Sequence, residues 1–240
     1  MFDLRKNAFL LSLFATILSF NKVIGQKVTV EGVDKATYYI SLGGAGATNQ
    51  WADYFKNFKS NNQFTGEAGC LWNPTYKKEV NAPVFVGAQL GYLGLGTDPV
   101  RSVLLGSFIQ QHQAFWLHGS ARYRPVVWAS KWNPFIDVSG GATLYTSGIY
   151  ESLSETVVRI KGVASTAFSY QVGIGIGRIV PRKVGPSPYL DLMVSTFQTD
   201  PVRTAAREGA SIASNGTITI TRRRIPISYT RITLSLSNFW

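Results

Sequence analysis

From Arg231 to Trp240 the chain reads Arg-Ile-Thr-Leu-Ser-Leu-Ser-Asn-Phe-Trp. Apolar and small polar residues alternate, and the stretch ends on two aromatics. A period of two belongs to a strand whose faces meet different surroundings. The same alternation recurs upstream, with turn residues between the segments, and predicts eight strands. They fall at about 36–46, 62–72, 82–96, a fourth ending near 124, 134–148, 163–180, 187–199, and from about 217 to the end, with an irregularity near Pro226. After residue 25 no apolar run is long enough to span a membrane as a helix.

The two faces differ in kind. On the fourth strand Phe115, Leu117, Gly119, Ala121 and Tyr123 oppose Trp116, His118, Ser120, Arg122 and Arg124. On the sixth, Phe168, Tyr170, Val172, Ile174 and Ile176 oppose Ser169, Gln171 and three glycines. A soluble sandwich would also alternate, but its wet face would carry many Lys and Glu. Here the polar face carries Gly, Ser, Thr and scattered charges. The apolar face runs four or five residues on nearly every strand, enough for a band roughly 25 Å tall on tilted strands. The expected fold is therefore all-β: an eight-stranded, antiparallel, up-and-down transmembrane barrel.

The start of the chain agrees. Arg5 and Lys6 precede an apolar run over residues 8–20, shorter than the roughly 20 residues a spanning helix needs. Val23 and Gly25 suit the small-residue positions of a cleavage site. Residues 1–25 are expected to be a cleaved signal peptide, and 26–240 the barrel domain. Charged residues make up 15% and aromatics 13%, with 23 glycines. That mixture suits a barrel with crowded strands and aromatic girdles. Cys70 is the one cysteine, which excludes a disulfide framework.

On the alternating strands and the terminal Phe239-Trp240, the chain resembles the small eight-strand outer-membrane barrels, the group of the OmpX-type proteins and the OmpA transmembrane domain. Ser187-Pro-Tyr-Leu-Asp-Leu192 adds a likeness to the barrels of Bacteroidetes-like bacteria. The resemblance implies integral residence in the outer membrane of a Gram-negative bacterium. It implies contact with outer-membrane lipid and lipopolysaccharide, and Phe239 and Trp240 as the signal read by the barrel assembly machinery. Both termini are then periplasmic. The turns at 73–81, 125–133 and 181–186 are periplasmic, and 47–61, 97–110, 149–162 and 200–216 are longer outer loops. Trp72, Trp128, Trp132, Tyr189, Phe239 and Trp240 lie toward the periplasmic side.

An eight-strand interior is just wide enough to be filled by side chains. Its expected polar network comprises Glu67, Gln89, His118, Arg122, Arg124, Asp137, Asp191 and Arg231. Buried carboxylates need partners and arginine supplies bidentate ones, so at least one Arg–carboxylate pair is expected inside. On the last outer loop Arg203, Arg207, Arg222, Arg223 and Arg224 would bind anionic glycolipid, if they are more than a solvated rim. Export leaves nucleic acid out as a partner. A protein partner at the outer loops stays open.

Chemistry has little support. His118-x-Ser120 resembles the motif of PagL-type lipid A deacylases. The residues that follow, Ala121-Arg122-Tyr123, depart from it, and the nearest carboxylate is Asp137. The glycine run at 173–177 lies within a strand, and His112 with His118 is too sparse a set for a metal. No catalytic residue, metal or cofactor is expected. The expected role is structural or interactive, with a lipid-modifying enzyme and a small channel as alternatives.

Overall fold

In a computed structural model, the residues described are 36–55, 63–74, 83–102, 107–125, 132–153, 156–180 and 188–238. The expected signal peptide and Phe239 and Trp240 lie outside them. Eight long strands form the sheet: β1 (Ala36–Ala47), β2 (Phe64–Trp72), β3 (Val84–Pro99), β5 (Ser107–Tyr123), β6 (Trp132–Leu153), β7 (Thr156–Ile179), β8 (Tyr189–Ile212) and β9 (Ile218–Ser237). A two-residue strand, β4 (Arg101–Ser102), and one short helix, α1 (Asn49–Phe55), complete the described elements.

Each long strand pairs antiparallel with the next long strand in the chain, and β9 pairs with both β8 and β1. The sheet is thus a closed up-and-down ring, with no edge in its lower part. Its stagger can be read from the register. Starting at Ser237 of β9, the partners run Tyr39, Gly69, Gln89, His118, Gly141, Ser169 and Thr199. Thr199 follows the Gln198↔Ser228 pair and receives the Ile227 amide. The circuit returns to β9 at Ile227, about ten residues from its start, which tilts the strands by roughly 40°.

Outward and inward side chains alternate with few lapses. Outside lie Tyr38, Ile40 and Leu42 of β1, Val84, Val86 and Leu90 of β3, Leu117 of β5, Ile174 and Ile176 of β7, and Leu234 and Leu236 of β9, all exposed. On β7 the belt runs from Ile176 to Phe168, about 20 Å along the axis at that tilt. Leu117 and Ile174 are 63% and 66% exposed, the reverse of a water-soluble core. Trp72 and Trp132 project outward at the lower rim, whereas Tyr189 turns inward against Arg124 and is not a girdle residue.

The upper ends depart from the loops expected there. Residues 149–162 are almost entirely strand, because β6 and β7 continue as one hairpin whose ladder reaches Leu153↔Thr156. Residues 200–216 likewise extend the β8–β9 hairpin to Ile212↔Ile218, and 97–110 partly extend β3 and β5. The segment 47–61 contains α1. Backbone pairing within each hairpin satisfies the N–H and C=O groups where no side-chain pattern reports a strand. The backbone ladder between β7 and β8 stops at Ser169↔Thr199, and above it side chains join the two tall hairpins, the Arg203 amide donating to Ser165 Oγ at 3.2 Å and the Tyr145 hydroxyl meeting that of Thr204 at 2.5 Å. Pro226 faces Pro201 beside a register shift, and α1 packs near this level, where Thr48 and Asn49 meet the Ser228 hydroxyl.

Close strand packing depends on glycine. A Cβ at Gly87 would run into the carbonyl oxygen of Cys70 and the Cα of Leu71, both backbone atoms that cannot rotate away. Gly87→Ala is expected to destabilise by about 1–3 kcal/mol through overpacking. A lower urea midpoint for the refolded barrel, at unchanged slope, would show it.

Candidate functional site

The interior is filled in layers. At the lower end, Arg122 Nε donates to Asp137 Oδ2 at 2.9 Å, and its Nη1 lies 3.4 Å from Asp191 Oδ2. Arg124 Nη2 pairs with the same Asp191 oxygen. Aromatic rings separate these cations. Arg122 stacks on Tyr39 and Phe135, and Arg124 on Phe135 and Tyr189, at 4.6–5.2 Å from the ring centroids. The result is a ladder of ring, guanidinium, ring, guanidinium, ring. Two arginines face two aspartates, so the layer is neutral overall.

Above it, Arg231 Nη2 donates to Glu67 Oε2 at 2.9 Å, with Thr65 and Ser195 hydroxyls within 3.5 Å of other guanidinium nitrogens. Arg231 is 0% exposed, and Trp116 covers it at 5.1 Å. The Tyr39 hydroxyl sits between Glu67 Oε1 (3.1 Å) and Gln89 Oε1 (2.8 Å). Gln89 Nε2 donates to Ser139 Oγ at 2.9 Å. Ser139 Oγ is 3.1 Å from His118 Nδ1, and His118 Nε2 is 2.6 Å from Ser169 Oγ. Thr143 ends the chain, 2.6 Å from Ser169.

The eight residues Glu67, Gln89, His118, Arg122, Arg124, Asp137, Asp191 and Arg231 therefore all lie buried in the interior. Four contacts join Arg122 to Asp137 and Asp191, Arg124 to Asp191, and Arg231 to Glu67. The Arg122–Asp137 pair is cross-strand, since the two are register partners on β5 and β6. Arg231 and Glu67 lie on β9 and β2 with β1 between them, so ring closure brings them together. Polarity does not run the full height. Leu93, Leu95, Ala114, Trp116, Tyr145, Phe197, Val202, Ile225, Ile227 and Tyr229 form an apolar layer in the upper interior. The signal was present in Leu93-Gly-Leu95 and Ile225-Pro-Ile227, whose apolar residues continue the inward parity of Gln89 and Arg231. Phe197 stacks on both His118 and Tyr229, sealing the polar network from above.

His118 and Ser120 do face the same way, but the imidazole gives both nitrogens to Ser139 and Ser169. The Ser120 Oγ is buried with no hydrogen-bond partner. Neither reaches the apolar exterior, and a nucleophile needs its base within hydrogen-bond reach. Among the described residues no cluster of His, Cys, Asp and Glu is arranged to hold a metal ion.

The arginines of the last hairpin separate by face. Arg203 lies directly across from Arg224, and Arg222 across from Ala205; Arg203, Arg222 and Arg224 are exposed on the outward side. Arg223 is exposed across from Thr204, on the other face. Arg207 falls within the β8 register shift between Ala205 and Ala210.

No family model matches the sequence, and no curated protein matches it. Among solved structures, the chain is similar to Neisserial surface protein A, at 12% identity and a TM-score of 0.43 over 86% of this chain and 98% of that one. It is similar to a major outer membrane protein from Thermus thermophilus, at 11% identity and a TM-score of 0.48 over 85% and 98%. It is also similar to the N-terminal β-barrel domain of Pseudomonas aeruginosa OprF, at 9% identity and a TM-score of 0.33 over 86% and 99%. Likeness at this level carries nothing over to the present chain. The closed ring, the outward apolar belt and the filled interior stand on their own.

Proposed function

We propose that this protein is an integral barrel of the Gram-negative outer membrane with a structural or interactive role, and no catalytic one. The observation that carries this reading is the inversion of polarity, with Leu, Ile and Val outward and ion pairs inward. An exposed apolar belt on every long strand would precipitate a soluble protein. A bilayer covers it at no cost, while ring closure satisfies the backbone groups. Ala36 and Ser237 belong to the same end of the ring, as an even strand number requires, and that end is periplasmic in this reading. Phe239 and Trp240 would serve the assembly machinery. The tall β6–β7 and β8–β9 hairpins then rise outside the cell, where they would meet glycolipid or a protein partner.

Heat-modifiability tests the reading. The unboiled mature protein should migrate faster than the boiled one and should be found in the outer-membrane fraction. A single unshifted band in the periplasmic fraction would overturn it. Conduction is the competing role. The stacked guanidinium–aromatic ladder, with the apolar layer above it, supports a sealed interior. Purified protein added to planar bilayers should therefore give no current steps above the detergent control. Reproducible steps would make the channel reading the better one.

A further inference from the structure

The outward belt is notched on one side of the ring. On β5, β6 and β7 it stays apolar up to Phe115, Leu144 and Phe168, and the next outward residues are Gln113, Thr146 and Thr166. On β8 and β9 the apolar run ends sooner, at Val194 and Ile232, and Thr196, Gln198 and Thr230 follow. Register places two of them in the row Val172↔Thr196↔Thr230↔Gly46, directly beside the belt residue Val172. By that register and the strand tilt, polarity begins about 12 Å lower on β8 than on β7. The three residues thus stand at a depth that Phe115, Leu144 and Phe168 cover elsewhere with hydrocarbon. Among the described residues, the other outward side chains of the long strands at that depth are apolar or tyrosine, or are absent at glycine.

Polar groups held in hydrocarbon need partners. Gln198 Oε1 accepts from the Tyr170 hydroxyl at 2.7 Å, which leaves both N–H groups of the amide to find an acceptor. The Thr196 hydroxyl lies 3.5 Å from the Val172 carbonyl oxygen and keeps its own lone pairs, as does Thr230. The patch therefore holds donors and acceptors together and is complementary to itself. Next to it the outer surface of β1 is bare. A Cβ at Gly46 would meet nothing within 4 Å, and one at Gly44 only the Gln63 carbonyl oxygen at 4.0 Å. Small residues of this kind let a second chain approach closely in a membrane. Depth then selects the occupant. A lipid tail offers no hydrogen-bonding group at the level of Thr196. A twofold axis along the membrane normal sets each residue against its own depth and pairs one patch with its own copy. At this depth a second copy of the chain meets the polar notch with polar groups by presenting the same notch.

We infer that the outward sector of β8, β9 and β1 is the contact face of a symmetric dimer of this chain within the bilayer. The Gln198 amide of each copy donates to the partner's Thr196 and Thr230 hydroxyls, and Gly44 and Gly46 let the two barrels close on one another. Below them Val194 and Ile232 pack across the axis. Above them stand the exposed Arg203, Arg222 and Arg224. Their charges repel between copies, so they oppose the contact, and salt relieves that opposition. The inference rests on the outer-membrane reading above and goes further by naming a partner and the face it meets.

The test uses the full mature protein refolded in density-matched detergent micelles, where sedimentation equilibrium reads the mass of the protein alone. The unsubstituted protein should pass from monomer to dimer mass as its concentration rises. Thr196→Val/Gln198→Leu, which makes the notch apolar, should weaken association at least about fivefold, the equivalent of one hydrogen bond in a membrane. Gly46→Leu has room in a single barrel and should weaken it at least as much by holding two barrels apart. Association should strengthen as salt is raised. In lipid vesicles, on a Cys70→Ala background, Thr230→Cys should form an intermolecular disulfide on oxidation with copper phenanthroline. Leu117→Cys, at similar depth on the opposite side of the ring, should not. Monomer mass at every concentration overturns the dimer and leaves the notch to a different membrane protein. A dimer that the polar and glycine variants leave unchanged, or that cross-links equally at Leu117→Cys, overturns the assignment of the face. Association that weakens with salt moves the contact up to the arginines and overturns it as well. Each protein is also scored for its heat shift, so failure of the barrel reading is seen separately from failure of the dimer.

Discussion

Ile174→Arg should destabilise the barrel by about 2–4 kcal/mol when it is folded into lipid vesicles. Ile174 is 66% exposed, and its register partners, Ile136 and Val194, continue the belt on either side. For a side chain facing water, an exposed substitution of this kind shifts stability by no more than about 0.5 kcal/mol. The two environments therefore predict costs that do not overlap. In hydrocarbon the guanidinium must bend toward an interface or draw water inward, because no outward acid lies on the neighbouring strands at that level. The control is Thr219→Arg on the upper β9 hairpin, an exposed site beyond the belt, where little change is expected. Guanidinium unfolding in vesicles followed by tryptophan fluorescence compares them. A cost for Ile174→Arg no larger than that of Thr219→Arg would remove the bilayer from the account of this fold.

The barrel was legible because its belt is written at period two. Leu234 and Leu236 face outward and Thr233 and Ser235 inward, so each strand declares both faces. Where that contrast fades, legibility fades with it. Glu151, Ser152 and Thr156 lie beyond the apolar belt, in a stretch of sequence that no longer alternates in polarity. They read as loop although the β6–β7 ladder passes through them. The inward parity of Arg122 and Asp137 was readable strand by strand, and cross-strand register then makes them partners. The Arg231–Glu67 pair was not, because it spans two strand spacings and exists only after the ring closes. Tyr189 illustrates a rival signal. An aromatic near a strand end suggests a girdle, yet its parity with Asp191 turns it inward onto Arg124. The apolar upper interior was hidden similarly, since Leu93 and Ile227 on a lumen face look like belt residues when only hydropathy is counted.

That same closure-dependent pair carries the second large effect. Glu67→Ala should cost about 3–5 kcal/mol, because it leaves a wholly buried guanidinium without its counter-charge. Arg231 keeps only hydroxyl contacts to Thr65 and Ser195 and the Trp116 face, none of which neutralises it. Tyr39 loses one of its two acceptors as well. Glu67→Gln preserves the shape and an acceptor oxygen, so its loss should be smaller. Replacing both members, Glu67→Leu with Arg231→Met, removes the charge together with its demand for solvation, and such exchanges are often close to neutral. The double-mutant cycle should then show a coupling of about 2 kcal/mol or more. Unfolding midpoints in one detergent or lipid supply all four corners. A cost below about 1 kcal/mol for Glu67→Ala would mean that water reaches Arg231 and solvates it. The interior would then be wet at mid-height. The sealed plug would have to be given up, and current steps in planar bilayers would be the expected companion result.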